Sequence, residues 1–268
     1  MRPAHAFEAL IAVSSRELQR FAQQRSRLLS SVVRPSLWLV IFAAGFHGVF
    51  GVAVMPPYTH PISYQVYIVP GLLGMTLLFN GMQSSLAMVY DREMGMMRLL
   101  LTAPLPRAWL LACKLGAGTL LSLLQAYAFL VICALLRVDL PWWGLLRALP
   151  AMLLAALMLG ALGLMLSVSV RQLENFAGTM NFVIFPLFFL SSALNPLWKV
   201  HEAGADWIWR LSQVNPFTHA VELIRYAMYG RFDALSAAVV AGCLLLFFVI
   251  AAIGYDPQRG LVRRRSAN

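Results

Sequence analysis

The sequence predicts an all-α membrane protein: six transmembrane helices, an N-terminal interfacial amphipathic helix, and short re-entrant outer helices between spans five and six. Three observations carry that prediction. The 268 residues are 60% apolar and only 12% charged, whereas a soluble domain carries about 25% charged residues. Five windows contain no Asp, Glu, Lys or Arg: Pro35–Tyr90, Leu115–Leu136, Ala148–Val170, Asn175–Trp198 and Ala234–Tyr255. One span needs ~20 predominantly apolar residues, so four windows hold one helix each and the first holds two, divided at Pro56, Pro57 and Pro61. Finally, the basic residues are distributed as a membrane topology requires. With the N-terminus inside, fifteen Lys and Arg fall in inner segments and six in outer ones. That bias places both termini in the cytoplasm and disposes of the nucleic-acid reading that a net charge of +10 invites.

Three regions follow: a cytoplasmic interfacial helix over 1–34, a six-span domain over 35–255 and a basic cytoplasmic tail over 256–268. In the first, Phe7, Ile11, Leu18, Phe21 and Leu28 fall near one helical face with Arg16, Arg20 and Arg27 off it. This helix is too charged to span and suits the membrane surface. A cleavable signal peptide is not expected, because about thirty polar or amphipathic residues precede the first apolar run.

Span one is expected over about 36–54, with His47 as a packed residue. Span two covers about 64–89, with a kink at Pro70-Gly71. Asn80, Gln83, Ser84 and Ser85 give it a polar inner half, which suits either interhelical hydrogen bonds or a substrate path. Span three covers about 115–136. Span four, about 148–170, contains Ala156-xxx-Gly160 and Gly163-xxx-Ser167, small residues four apart that let helices approach closely. At the inner turn after it, Arg171 and Glu174 can pair. Span five covers about 176–194. Asn181, Phe185, Phe188 and Phe189 in it join Asn80 and Gln83 as candidates for a translocation path, ordinary helix packing being the alternative. Beyond it, Asn195-Pro196 and Asn215-Pro216 each place an N-cap residue before a Pro. Two short helices are therefore expected there, the second carrying Glu222 and Arg225. Span six covers about 234–254.

The segment Asp91–Lys114 is a charged island between apolar blocks. Met94, Met97 and Leu101 make an apolar stripe at helical spacing, Asp91, Arg92, Glu93 and Arg98 supply polar contacts, and Pro104 and Pro106 end the helix. Two readings fit: a docking element for a soluble partner, or an interfacial loop helix that buries its Met stripe in lipid. The chain has no Gly-x-x-x-x-Gly-Lys-Ser/Thr nucleotide motif and no His-Glu-x-x-His zinc motif. Cys113, Cys133 and Cys243 are widely spaced in apolar runs and read as packing residues. The predicted spans carry no Asp, Glu or Lys of the kind ion-coupled carriers use, so any energy input is expected from outside the membrane. A membrane scaffold or enzyme without transport remains an alternative of another class.

The order of these motifs resembles the membrane subunit of type 2 ABC exporters. The resemblance rests on Asp91-Arg92-Glu93-x-Gly95 with Leu99-Leu100 and Thr102-x-Pro104, on Phe188-Phe-Leu-Ser, and on Asn195-Pro196 and Asn215-Pro216 followed by Arg225. It implies that Asp91, Arg92, Glu93, Met94, Gly95, Met97, Arg98, Leu101 and Pro104 couple the chain to an ATPase. It also implies a second permease copy, two separate ABC ATPase subunits, and ATP and Mg bound by those subunits rather than by this chain. Export across a bacterial inner membrane is the activity implied. Met97-Arg98 departs from the acidic residue that many members carry before the Leu pair, and Cys113-Lys114 stands where Gly-Lys is usual.

Overall fold

The computed structural model describes residues 11–12, 14–16, 19, 25–46, 56–93, 106–170 and 172–255. The architecture is all-helical. In chain order the helices are α1 (Arg25–Phe46), α2 (Tyr64–Glu93), α3 (Arg107–Leu135), α4 (Trp142–Arg147), α5 (Leu149–Ser169), α6 (Leu173–Phe189), α7 (Leu197–Glu202), α8 (Asp206–Val214), α9 (Pro216–Met228) and α10 (Ala234–Gly254). Of the expected interfacial helix, Ile11, Ala12, Ser14, Ser15, Arg16 and Gln19 are described and are helical. Its remaining positions before Arg25, together with His47, Arg171 and the basic tail, lie outside the described residues.

Among the described residues, four helical stretches are long and apolar enough to cross a membrane: Tyr64–Tyr90, Ala108–Leu135, Leu149–Ser169 and Ala234–Gly254. At the place expected for span five the apolar helix is shorter, Leu173–Phe189; at that for span one an apolar stretch is described over Val32–Phe42, and residues 47–54 lie outside the described residues. The fifth stops early because the chain turns back on itself. Leu190 N–H closes on the Pro186 carbonyl at 2.9 Å, the Ser191 hydroxyl donates to the Phe188 carbonyl at 2.6 Å, and residues 191–194 bury themselves.

The charged island is divided between two long helices. Asp91–Glu93 form the last turn of α2, and Arg107–Lys114 open α3 directly after Pro106. At ~1.5 Å per residue, the 30 residues of α2 reach about 45 Å against a hydrocarbon layer of ~30 Å. The helix is therefore longer than that layer is thick.

Helices α2 and α5 form the centre. Helix α2 packs on α1, α3, α5, α6 and α9, while α5 also holds α10. Ile68, Val69, Leu72, Leu77, Leu78 and Met82 of α2 are wholly buried. In lipid, apolar burial alone does not draw helices together, so close packing of small residues supplies the attraction. A Cβ at Gly81 would stand 3.0 Å from the Gly160 backbone, and one at Gly163 would meet the Ser85 hydroxyl at 2.6 Å. The small-residue pattern of the fourth span is thus the α2–α5 seam. Gly81→Val should cost about 2–3 kcal/mol, because its neighbours there are backbone that cannot step aside. A melting curve of the detergent-solubilised chain checks this. Gly178→Ala, where nothing lies within 4 Å, should leave the curve in place or raise it slightly.

Helix α2 runs unbroken through Pro70-Gly71. Gly71 is explained by approach: any Cβ there would strike the backbone carbonyl of Ala193. The faces turned away from the bundle stay apolar, notably Leu235, Leu245, Leu246, Val249, Ile250 and Ile253 on α10. A contiguous apolar exterior of this kind needs lipid or protein against it.

Candidate functional site

Two polar constellations close the bundle, one at each end of α2. At the Glu93 end, Arg92 donates through Nη2 to the Ser167 carbonyl at 2.8 Å and also to the Val170 carbonyl. The Glu93 carboxylate accepts from the Leu173 backbone N–H at 3.3 Å. The chemistry fits helix ends. The last carbonyls of α5 lack intrahelical donors and the first amide of α6 lacks an acceptor. A cation suits the former and an anion the latter. Two consecutive residues of α2 thus brace both sides of the α5–α6 turn. Sequence reasoning assigned both to docking and did not see this tie, because it joins positions 75 to 80 residues apart. The backbone of Asp91 lies in the same helical turn. Met94, Gly95, Met97, Arg98, Leu101 and Pro104 lie outside the described residues.

Between α2, α3 and α5 lies a slot of about 20 Å³ whose walls include Ser84, Ser85, Lys114, Thr119 and Ser122. The Ser85 and Ser122 hydroxyls turn back to the carbonyls of Gly81 and Gly118 at 3.0 and 2.9 Å. Thr119 Oγ1 is buried and has no partner. The slot is large enough for a water molecule.

The residues expected along a translocation path separate into three settings. Asn80 and Gln83 face α1, around a cavity of about 10 Å³ that also touches Arg34. The Arg34 guanidinium lies 4.2 Å from the centre of the Phe79 ring. Phe188 is core, its ring 6.1 Å from both Trp38 and Phe217. Asn181, Phe185 and Phe189 are exposed on α6, with the Phe185 and Phe189 rings stacked at 6.2 Å. Within one copy of the chain these six residues do not line one passage.

At the Tyr64 end, three short helices, α7, α8 and α9, stand where two were expected. Pro196 itself caps α7, so Asn195 is exposed ahead of the cap rather than serving as it. Asn215 does cap α9 before Pro216. Its side-chain oxygen accepts from Phe217 N–H at 2.9 Å, while Nδ2 donates to the carbonyls of Leu187 and Leu190 at 2.8 and 2.6 Å. One side chain therefore starts α9 and ends α6.

Nearly three turns further along α9, Arg225 is only 3% exposed. It pairs with Glu222, donates to the Ser192 carbonyl at 3.0 Å and the Tyr67 carbonyl at 3.4 Å, and lies 4.2 Å from the centre of the Tyr67 ring. Burial alone would lower the guanidinium's proton affinity, but Glu222 and the tyrosines around it hold it raised and charged. Tyr58 packs alongside, its ring 4.9 Å from that of Tyr229, and burial pushes its hydroxyl up. The tyrosine ring of this cluster was not anticipated. The signal available was Tyr64 and Tyr67 three residues apart on one helical face, close after Tyr58.

A family model described as ABC-2 type transporter matches residues 8–229, most of the chain. The chain belongs to the ABC-2 type transporter family. Among similar proteins, the ycf38 protein of Porphyra purpurea, whose name describes a transport permease, is 30% identical over 209 residues, covering 77% of this chain and 68% of its own. The inner membrane transport permease YadH of Escherichia coli K12 is 22% identical over 90% of both chains. The daunorubicin resistance ABC transporter permease protein DrrB1 of Streptomyces coeruleorubidus is 24% identical over 92% of this chain and 86% of its own. This ABC-2 chain is accordingly a multi-pass membrane transport permease, and its family works within ABC transporter systems.

Proposed function

We propose that this ABC-2 permease exports its substrate across a bacterial inner membrane, driven by ATP that separate ABC ATPase subunits hydrolyse. The observation that carries the reading is the brace at the Glu93 end. There the helix that leads into the 94–105 segment is tied to both neighbours of the α5–α6 turn. A push delivered to Met94, Gly95, Met97, Arg98, Leu101 and Pro104 by an ATPase would pass through Asp91, Arg92 and Glu93 into α5 and α6.

In this reading the chain has six spans and an interfacial N-terminal helix, with both termini cytoplasmic. The helices α7 to α9, with Asn195, Pro196, Asn215, Pro216, Glu222 and Arg225, form the re-entrant outer region. ATP and Mg bind to two ATPase subunits. A second permease copy faces the exposed apolar side of α1 and α6, where Leu37, Val40, Ile41 and Phe182 are exposed beside Phe185 and Phe189. Two such faces together would enclose the passage that one copy lacks.

The test uses the chain in liposomes with an ABC ATPase subunit that co-purifies with it. The double variant Met97→Asp, Leu101→Asp should lose binding and stimulation of nucleotide hydrolysis while the permease stays folded. Normal binding and stimulation by that variant would remove the coupling role.

A further inference from the structure

Beside α4, at the end of the bundle away from Arg92, the first turns of α5, the end of α9 and the start of α10 enclose an open groove of about 390 Å³. That is within the ~300–1,000 Å³ range of small-ligand sites. Leu154, Leu223 and Ala227 make its floor apolar, Phe232 flanks it, and Arg147 and Arg231 stand at its rim. The arginines are held there by the local backbone. Gly144 of α4 packs against the Met228 carbonyl at the end of α9, which sets Arg147 beside that helix. Gly230 then turns the chain at φ +69° and brings Arg231 round. A Cβ at Gly230 would lie 3.0 Å from Arg147 Nη1, so the guanidinium rests across that glycine.

Neither Arg147 nor Arg231 forms an ion pair with another described residue, unlike Arg225 with Glu222. The nearby Asp233 carboxylate is occupied in capping α10, accepting from Leu235 N–H, Ser236 N–H and the Ser236 hydroxyl. Two arginines free of ion pairs therefore border an apolar trough. The trough also lies at the starts of α5 and α10, two helices long and apolar enough to span, so in a spanning arrangement it opens at the depth of a lipid headgroup layer.

We propose that this groove binds an anionic phospholipid of the surrounding bilayer, with its phosphate held between Arg147 and Arg231 and one acyl chain lying over Leu154, Leu223 and Phe232. The guanidinium fork matches phosphate oxygens bidentately. Two neighbouring guanidiniums favour an anionic headgroup by charge. A zwitterionic lipid brings the same phosphate but adds a cation that the two arginines repel. The site does not depend on the ATPase or on the direction of transport.

The test is native mass spectrometry of the purified full chain in detergent with equal amounts of phosphatidylglycerol and phosphatidylcholine of identical acyl chains. The wild-type chain should retain phosphatidylglycerol preferentially. Arg147→Gln, Arg231→Gln should weaken that retention about tenfold, or roughly 1.4 kcal/mol, and leave phosphatidylcholine adducts unchanged. Ala237→Leu, which fills the groove while keeping both charges, should weaken it as well and decides the matter if the double variant folds poorly. Undiminished phosphatidylglycerol retention in the variants overturns the proposal. So does loss of the wild-type preference in millimolar inorganic phosphate, which would mark a site for the free anion rather than for the lipid.

Discussion

Arg225→Met should destabilise the chain by about 3–5 kcal/mol, the cost of breaking a buried ion pair from one side. Three losses combine. Glu222, 21% exposed at its side chain, keeps a carboxylate without its counter-charge. The Ser192 carbonyl loses a charged donor, and the Tyr67 ring loses the cation against its face. At ~2–4 °C per kcal/mol for a chain near this size, the melting temperature should fall by roughly 6–20 °C. A thiol-reactive dye can follow the transition, because Cys113 and Cys133 are buried until the bundle opens. The double variant Arg225→Met, Glu222→Met should recover most of the loss, since an apolar pair of similar volume replaces a buried ion pair at little cost. A single variant that melts within about 1 kcal/mol of wild type would mean that water, not Glu222 and Ser192, solvates this guanidinium.

Arg92→Ala should have a small effect on stability and a large one on transport. The side chain is half-buried and caps two carbonyls, so its removal should cost about 1–2 kcal/mol. The loss reaches further in function in the proposed reading, because the charged tie between the end of α5 and the helix that leads to the 94–105 segment is then gone. Coupling between sites is typically worth 1–3 kcal/mol. Substrate movement per ATP hydrolysed should therefore fall about tenfold, with ATPase binding retained. Arg92→Lys, which keeps one charged donor, should fall between the two. Full coupling in Arg92→Ala would show that force reaches α5 by another route.

The parts of this molecule that local pattern controls were legible in its sequence. Charge-free windows located the long helices, small residues four apart marked α5 for close packing without naming its partner, and Asn215-Pro216 located the start of α9. What escaped was set by contacts distant along the chain. Apolar windows locate the buried middle of a helix but not its polar ends, so the reach of α2 to Glu93 and the start of α3 at Arg107 were underestimated. Asn195-Pro196 has the same local chemistry as Asn215-Pro216, yet only the second caps a helix, because Asn215 also finds the Leu187 and Leu190 carbonyls. Arg225 was counted with the loop charges. Its burial depends on Tyr67, 158 residues earlier, and on Ser192, 33 residues earlier. The brace from Arg92 and Glu93 escaped for the same reason, and the 94–105 segment beyond it falls outside the described residues.

The order in which those partners leave the ribosome has a consequence for biogenesis. Tyr67 is synthesised first, Ser192 much later and Arg225 last, so the acceptors are complete before their donor exists. Until Arg225 emerges with Glu222 three residues ahead of it, the carbonyls of Tyr67 and Ser192 lack this donor. The end of the bundle near Tyr64 therefore gains its charged tie last, and a chain truncated before α9 would reach the membrane held there by Tyr64 and Tyr67, whose hydroxyls donate to the Leu194 and Ser192 carbonyls at 2.9 Å each.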